Sequence, residues 1–233
     1  MIDQPVTLIT GTRKGIGKHL ALHYHSRGHR IVGVSRREPD WTLDGCDHFA
    51  ADVADESAAE RVFLHIRKSY GRLDNVINNA GTASMNLALL TPLTKVREIF
   101  ETNVMGTFLY CREAARLMQR RKYGRIVNFS TVAVPLALKG ESVYAGSKAA
   151  VVMLTEILAR EFAQWNITVN CIGPGPVDTD LIRGVPPDKI REIVEQQAIK
   201  RFGTFADVTN VTDFFLSEAS SLITAQTIYL GGL

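Results

Sequence analysis

The chain has 233 residues, 45% hydrophobic and 22% charged, with a net charge of +3 at pH 7. That length suits one substantial α/β domain, read here as spanning 1–233, and the composition excludes a disordered or fibrous chain. The small charge gives no ground for binding nucleic acid or a membrane surface.

Short apolar runs alternate with amphipathic stretches along the chain. "VTLIT" (6–10) reads as a first strand, followed by a helical pattern over 16–27. "RIVGVS" (30–35) and "HFAAD" (48–52) predict two more strands, then a helix over 55–70. "NVINN" (75–79) precedes a long helical pattern, 94–119, and "GRIVNFS" (124–130) a second, 142–163. "ITVNCI" (167–172) and "QTIYL" (226–230) complete seven strands. Runs this continuously apolar suit parallel strands covered on both faces, so the order predicts a doubly wound, mostly parallel seven-stranded sheet. One stretch, 173–204, breaks the rhythm with its prolines. It reads as a small lid near 178–204 at the carboxyl ends of the strands, or as a surface insertion.

Cys46, Cys111 and Cys171 fit no metal-ligand spacing, and no metal is expected. They read as reduced thiols of a cytoplasmic protein, two of them packed in the core. "MIDQPVTLIT" lacks the pattern of a signal peptide, and no apolar stretch approaches the length of a membrane span.

"TGTRKGIG" lies between the first strand and the first helix. Gly11 permits a sharp turn, Gly15 lets a ligand approach the backbone and Gly17 allows close helix packing. The amides at the helix start form a site for a pyrophosphate. An NAD-binding chain carries an acid at the end of the second strand. Here Ser35, Arg36 and Arg37 stand there, and Arg13 and Lys14 lie inside the glycine loop. Guanidinium groups suit a ribose 2′-phosphate, so the expected cofactor is NADP(H). Glu38 lies beyond the strand end and reads as solvated. In "YAGSK", Tyr144 and Lys148 share one helix face if the stretch is helical. A nearby ammonium lowers a phenol's pKa towards neutrality, making the pair a candidate acid/base.

Taken together and in order, these motifs resemble the short-chain dehydrogenase/reductase family over essentially the whole chain, and with it a Rossmann fold. "TGTRKGIG" matches its TGxxxGxG loop, Asp52 its adenine-contacting acid, and "NNAG" (78–81) the segment beside the central strand. Asn103, Ser130, Tyr144 and Lys148 match its four catalytic positions, and "PGPVDTD" (174–180) the segment bordering the nicotinamide. The resemblance implies cofactor contacts from Ile16, Val53, Asn79, Ala80 and Gly81, and from Pro174, Gly175, Val177 and Thr179. Tyr144 would donate a proton to the substrate oxygen, and Ser130 would hydrogen-bond it. Lys148 would serve both the phenol and the nicotinamide ribose, and Asn103 would bind a water that feeds protons to Lys148.

Within the family the likeness is closest to 3-oxoacyl-[acyl-carrier-protein] reductases, which implies an acyl thioester substrate and a homotetramer. The cations of "RLMQRRKYGR" (116–125), Arg120, Arg121 and Lys122 among them, read as a carrier-protein docking patch or as charges suited to a helix end. The apolar stretch "VAVPLALKGES", with Val134, Leu136 and Leu138, reads as a substrate channel or as packing. Trp165 and Asn166 stand where those reductases tend to carry a basic residue, and Leu230 where they carry Asp or Asn. Two other readings stand beside this one: a reductase of a free carbonyl compound (a polyketide, quinone or sugar intermediate), and a non-catalytic NADP sensor.

Overall fold

The computed structural model describes residues 4–179, 182 and 185–232. Met1–Asp3 of "MIDQPVTLIT", Asp180 of "PGPVDTD", and Leu181, Arg183 and Gly184 of the expected lid lie outside the described residues.

Seven strands form one sheet in the order β3-β2-β1-β4-β5-β6-β7. They are β1 (Val6–Thr10), β2 (Arg30–Ser35), β3 (Cys46–Ala50), β4 (Asn75–Asn78), β5 (Gly124–Phe129), β6 (Ile167–Gly173) and β7 (Thr227–Tyr229). Every pairing is parallel, so the expected mixture reduces to a purely parallel sheet among the described residues. The central strands β1, β4, β5 and β6 are buried along their whole length, whereas the edge strands β3 and β7 are half-open. Helices cover both faces, as parallel crossovers require. One apolar layer joins the sheet to α2 (Glu56–Ser69), α4 (Gly106–Met118) and α6 (Ser142–Phe162). The other joins it to α1 (Gly15–Ser26) and α8 (Phe205–Leu216). Cys111 and Cys171 are buried and Cys46 is half-buried, and all three are free thiols.

Three expectations are corrected. The third strand begins two residues earlier than its most apolar stretch, because pairing with β2 sets the register Ile31↔Cys46. The helical pattern 94–119 is not one helix. It divides into α3 (Leu93–Phe100), a π-helical turn at Glu101–Met105, and α4, with the Gly106 amide reaching back to Glu101 O. The third correction concerns Ser142–Trp165, which is long and apolar enough, at mean hydropathy 1.2, to meet the length and composition of a membrane span. Its buried face, including Lys148, Val151, Thr155, Leu158 and Phe162, packs on β5 and β6.

The stretch after β6 folds back on itself. Two short helices follow these strands, α5 (Ala133–Leu136) after β5 and α7 (Pro187–Glu195) after β6. The Gly203 amide donates to Pro176 O at 2.8 Å, and the Ala198 and Ile199 amides donate to Gly232 O and Gly231 O at 2.9 Å. Gln197, only 4% exposed, lies against Gly175 and Gly231 at the base of this excursion.

Candidate active site

The strand order reverses between β1 and β4, and in such sheets the crevice at that reversal is where ligands bind. Gly11 and Gly15 have φ of +79° and +60°, conformations that side chains rarely adopt, so the loop after β1 turns tightly. A methyl group on Gly17 would strike Gly11 O and the Asn79 amide. Asn79 Nδ2 donates to Thr10 O at 2.9 Å, and the Ala80 amide to Thr10 Oγ1 at 3.0 Å, which ties the end of β4 to the loop. Among the described residues, the amino end of α1 has no side-chain cap and no acid in its first turn. Its open amides and positive dipole end fit a pyrophosphate. Thr179 faces Gly15 across the loop, and Gly175 has no room for a side chain against Gln197. This cradle fits a dinucleotide.

The segment after β2 closes against the same loop. The Gly11 amide donates to Val34 O at 2.7 Å, and Trp41 Nε1 donates to Thr12 O at 3.1 Å. Arg13 and Lys14 therefore lie on one of two adjoining segments, and Arg36 and Arg37 on the other, with Lys14, Arg36 and Arg37 exposed. Ser35 is turned inward. It is 8% exposed, and its hydroxyl bonds Arg37 O and His48 rather than facing the crevice. Glu38 is largely exposed, as expected, yet its Oε2 lies 3.2 Å from His48 Nδ1. Asp52 is exposed and accepts from the Ala54 amide at 2.9 Å, while Val53 is buried against Gly106, where a larger residue would collide.

Asn103, Ser130, Tyr144 and Lys148 come together through a ring of contacts. Asn103 sits in the π-turn, fully buried, with Oδ1 accepting from the Thr82 amide at 2.9 Å. Its Nδ2 donates to Thr82 O at 2.9 Å and to Ser147 Oγ at 3.0 Å. Ser147 Oγ donates in turn to Tyr144 O at 2.7 Å. Gly81 stands beside both Asn103 Oδ1 and Lys148 Nζ, each 3.3 Å from the position its Cβ would take. Lys148 Nζ donates to Phe129 O at 2.7 Å, and Ser130 Oγ donates to Lys148 O at 3.3 Å.

Burial pulls the Lys148 ammonium down to about 8. Burial pushes the Tyr144 phenol up to about 12, with a hydrogen bond from Thr131 working against it and the Glu141 charge adding to it. The phenol thus moves in the opposite direction to the one expected from its Lys148 neighbour. Sequence reasoning did not single out Thr131, Glu141, Ser147 or Tyr229. Ser147 lies inside "YAGSK", but the others are brought in by the fold. The Tyr229 phenol lies beside Ser130 across β6 and β7, and burial raises the Glu141 carboxyl to about 7.

The family model described as enoyl-(acyl carrier protein) reductase matches residues 11–232, and the chain belongs to the short-chain dehydrogenase/reductase family, a family of oxidoreductases. Among individual proteins, it is 29% identical to the 3-oxoacyl-[acyl-carrier-protein] reductase FabG of Escherichia coli K12, over 97% of this chain and 96% of that protein. It is 30% identical to the corresponding protein of Staphylococcus aureus Mu50, with the same shares covered. The solved structure of ElxO with NADP bound superposes with a TM-score of 0.89 at 28% identity, covering 97% of each chain. Levodione reductase superposes equally well, TM-score 0.89, at 25% identity over 99% of this chain and 96% of that one.

Proposed function

We propose that the chain reduces the ketone of a 3-oxoacyl thioester to the 3-hydroxy product with NADPH. The placing of Ser130 and of Tyr144 and Lys148, one helical turn apart on α6, at the carboxyl ends of the strands carries this reading. The likeness to two 3-oxoacyl reductases over nearly the full chain, and to a structure with NADP bound, supports it. Bound NADPH supplies the hydride. The α1 amino end and the glycine loop hold the pyrophosphate, and Arg36 with Arg13 and Lys14 takes the 2′-phosphate. Ile16, Asp52, Val53, Asn79, Ala80, Gly81, Pro174, Gly175, Val177 and Thr179 line the rest of the cofactor crevice. Ser130 hydrogen-bonds the substrate carbonyl oxygen and fixes its position. Tyr144 gives its proton to that oxygen as negative charge develops on it. Lys148, still cationic near neutrality, stabilises the tyrosinate left behind. Asn103, its carboxamide occupied by Thr82 and Ser147, acts by fixing the Thr82 backbone, and with it the neighbouring Gly81 beside the Lys148 ammonium.

A second reading, reduction of a free carbonyl compound, is favoured by Trp165 and Asn166, which replace an expected basic residue, and by the likeness to levodione reductase. The carrier-bound reading draws on the exposed Arg120, Arg121 and Lys122. Beside them, a groove of about 470 Å³ is lined by Leu64, Leu117, Arg67, Arg116 and Arg120, with Glu60 and Glu113 also at its wall. Turnover of matched carrier-bound, coenzyme A-bound and free ketones separates the readings. Reversal of Arg120 and Arg121 to Glu is expected to raise KM for the carrier-bound substrate alone, by roughly tenfold at low salt, with added salt mimicking the change. Equal use of all three ketones by the parent, with no effect of the reversal, would favour the free-carbonyl reading. A chain that oxidises NADPH with none of them would be the cofactor sensor.

We assign the protein to the cytoplasm and to a homotetramer. Phe108 on α4, Met105 beside it, and Met153 and Ile157 on α6 expose 37%, 57%, 54% and 44% of their surface. Exposed apolar residues on adjoining helices of this kind mark an association surface. Ile157→Glu is therefore expected to shift the sedimenting species to a smaller assembly, and an unchanged assembly would remove these helices from the interface.

A further inference from the structure

The hydrogen bonds around His48 cannot all be made by a neutral imidazole. His48 lies on β3 with its side chain 10% exposed, between the end of β2 and the turn that follows. Its Nε2 is 2.9 Å from Ser35 Oγ, and its Nδ1 is 3.2 Å from Glu38 Oε2. Ser35 Oγ donates its single hydrogen to Arg37 O at 2.8 Å. The hydroxyl can then only accept from His48, so Nε2 must carry a hydrogen. An ionised Glu38 also only accepts, so Nδ1 must carry one as well. The observed set of bonds is that of an imidazolium. A neutral ring must give up either the Glu38 contact or the Ser35–Arg37 bond, because Ser35 would then have to turn its hydrogen towards Nε2.

Burial holds His48 below its ordinary 6.5, and the Glu38 charge and hydrogen bond offset that only in part, so the imidazolium set of bonds fills as pH falls. The other groups around the ring are few. From β2 come the Gly33 backbone and Ser35, and from the glycine loop comes Thr12, whose buried Oγ1 has no hydrogen-bond partner among the described residues. Arg36 and Arg37 follow Ser35 with exposed side chains, and the neighbouring Asp47 turns its carboxylate to His65 and Tyr70.

We infer that His48 is a positioning residue for cofactor choice: as an imidazolium it locks the Ser35–Arg37 turn that presents Arg36 and adds a cation beside it, favouring the 2′-phosphorylated dinucleotide. The inference rests on the NADP(H) reading of this crevice. A merely structural His48 would affect both dinucleotides alike, so the ratio of their affinities is the diagnostic quantity.

The test is calorimetric titration of NADP⁺ and NAD⁺, without substrate, between about pH 5.5 and 8. Parent, His48→Gln and Glu38→Gln proteins are compared. The free 2′-phosphate titrates in the same range in every comparison, so the readout is the difference between variants. The parent's preference for NADP⁺ is expected to grow roughly three- to tenfold more than that of His48→Gln as pH falls. Glu38→Gln, at a side chain 70% exposed, should move the parent's midpoint to lower pH by removing the counter-charge. Parallel pH dependence of the ratio in parent and His48→Gln would overturn the inference. If His48→Gln does not fold, an unmoved midpoint in Glu38→Gln overturns it instead. A parent without preference at any pH overturns the cofactor reading, and this inference with it.

Discussion

Tyr144→Phe is expected to lower kcat for ketone reduction by about 10²- to 10⁴-fold, the range spanned by loss of a positioned general acid. The cofactor's dissociation constant should change by less than about twofold, because only the proton donor is removed. The ring itself stays in place: it is half-buried, and its helix is fixed by the Ser147 and Lys148 contacts. A companion pH profile probes the second member of the pair. The Lys148 ammonium is drawn down to about 8, so its charge is present below that value and lost as pH rises through it. The parent's reductive rate should accordingly fall above about pH 8. The phenol, pushed up to about 12, stays protonated across that range and supplies no competing fall. A Tyr144→Phe protein with near-parental turnover would show that "YAGSK" is an ordinary helical stretch. Stopped-flow single turnovers with saturating cofactor measure the chemical step directly.

Arg36→Asp is expected to weaken NADPH binding by about 10²-fold and to improve NADH relative to it. A charge-assisted pair with phosphate contributes about 1.5–3 kcal/mol, and an aspartate in its place adds repulsion. The same carboxylate can bond a free 2′-hydroxyl, the arrangement of NAD-binding chains. The structure makes the exchange local. Arg36 is exposed just beyond β2, and the glycine loop it adjoins is held by Val34 O and Trp41 rather than by the arginine. The ratio of kcat/KM for the two cofactors measures the outcome. Equal efficiency in the unmodified protein would remove the basis for the prediction.

The alternation of apolar runs located β1, β2 and β4–β6 closely, because these strands are buried on both faces and little else in the chain is so continuously apolar. At the edge, the reading slipped by two residues. β3 is only half-covered, so its bounds follow the pairing Ile31↔Cys46 rather than its own hydrophobicity. The glycine loop was legible because backbone φ and close approach admit few residue types at Gly11, Gly15 and Gly17. The Tyr144–Lys148 spacing was legible for the helical reason given, but the electrostatics were not. Those depend on desolvation and on Thr131 and Glu141, which the fold gathers from before the helix. Sequence gives Ser35 its place at the strand end but not which way a buried hydroxyl turns. His48, thirteen residues on, is what turns it inward.

Helical periodicity passed over the break at 101–105 because one extra residue barely alters an apolar pattern. Yet that residue sets the phase of everything after it. An ordinary α-helix advances about 100° per residue, so deleting a single position from the π-turn would rotate α4 by that angle relative to α3. Tyr110, Cys111 and Ala114, now buried against the sheet, would swing towards solvent, and Asn103 would lose its alignment with Thr82 and Ser147. In a library of single-residue deletions, 101–105 should therefore tolerate fewer losses than the exposed turn at 119–123.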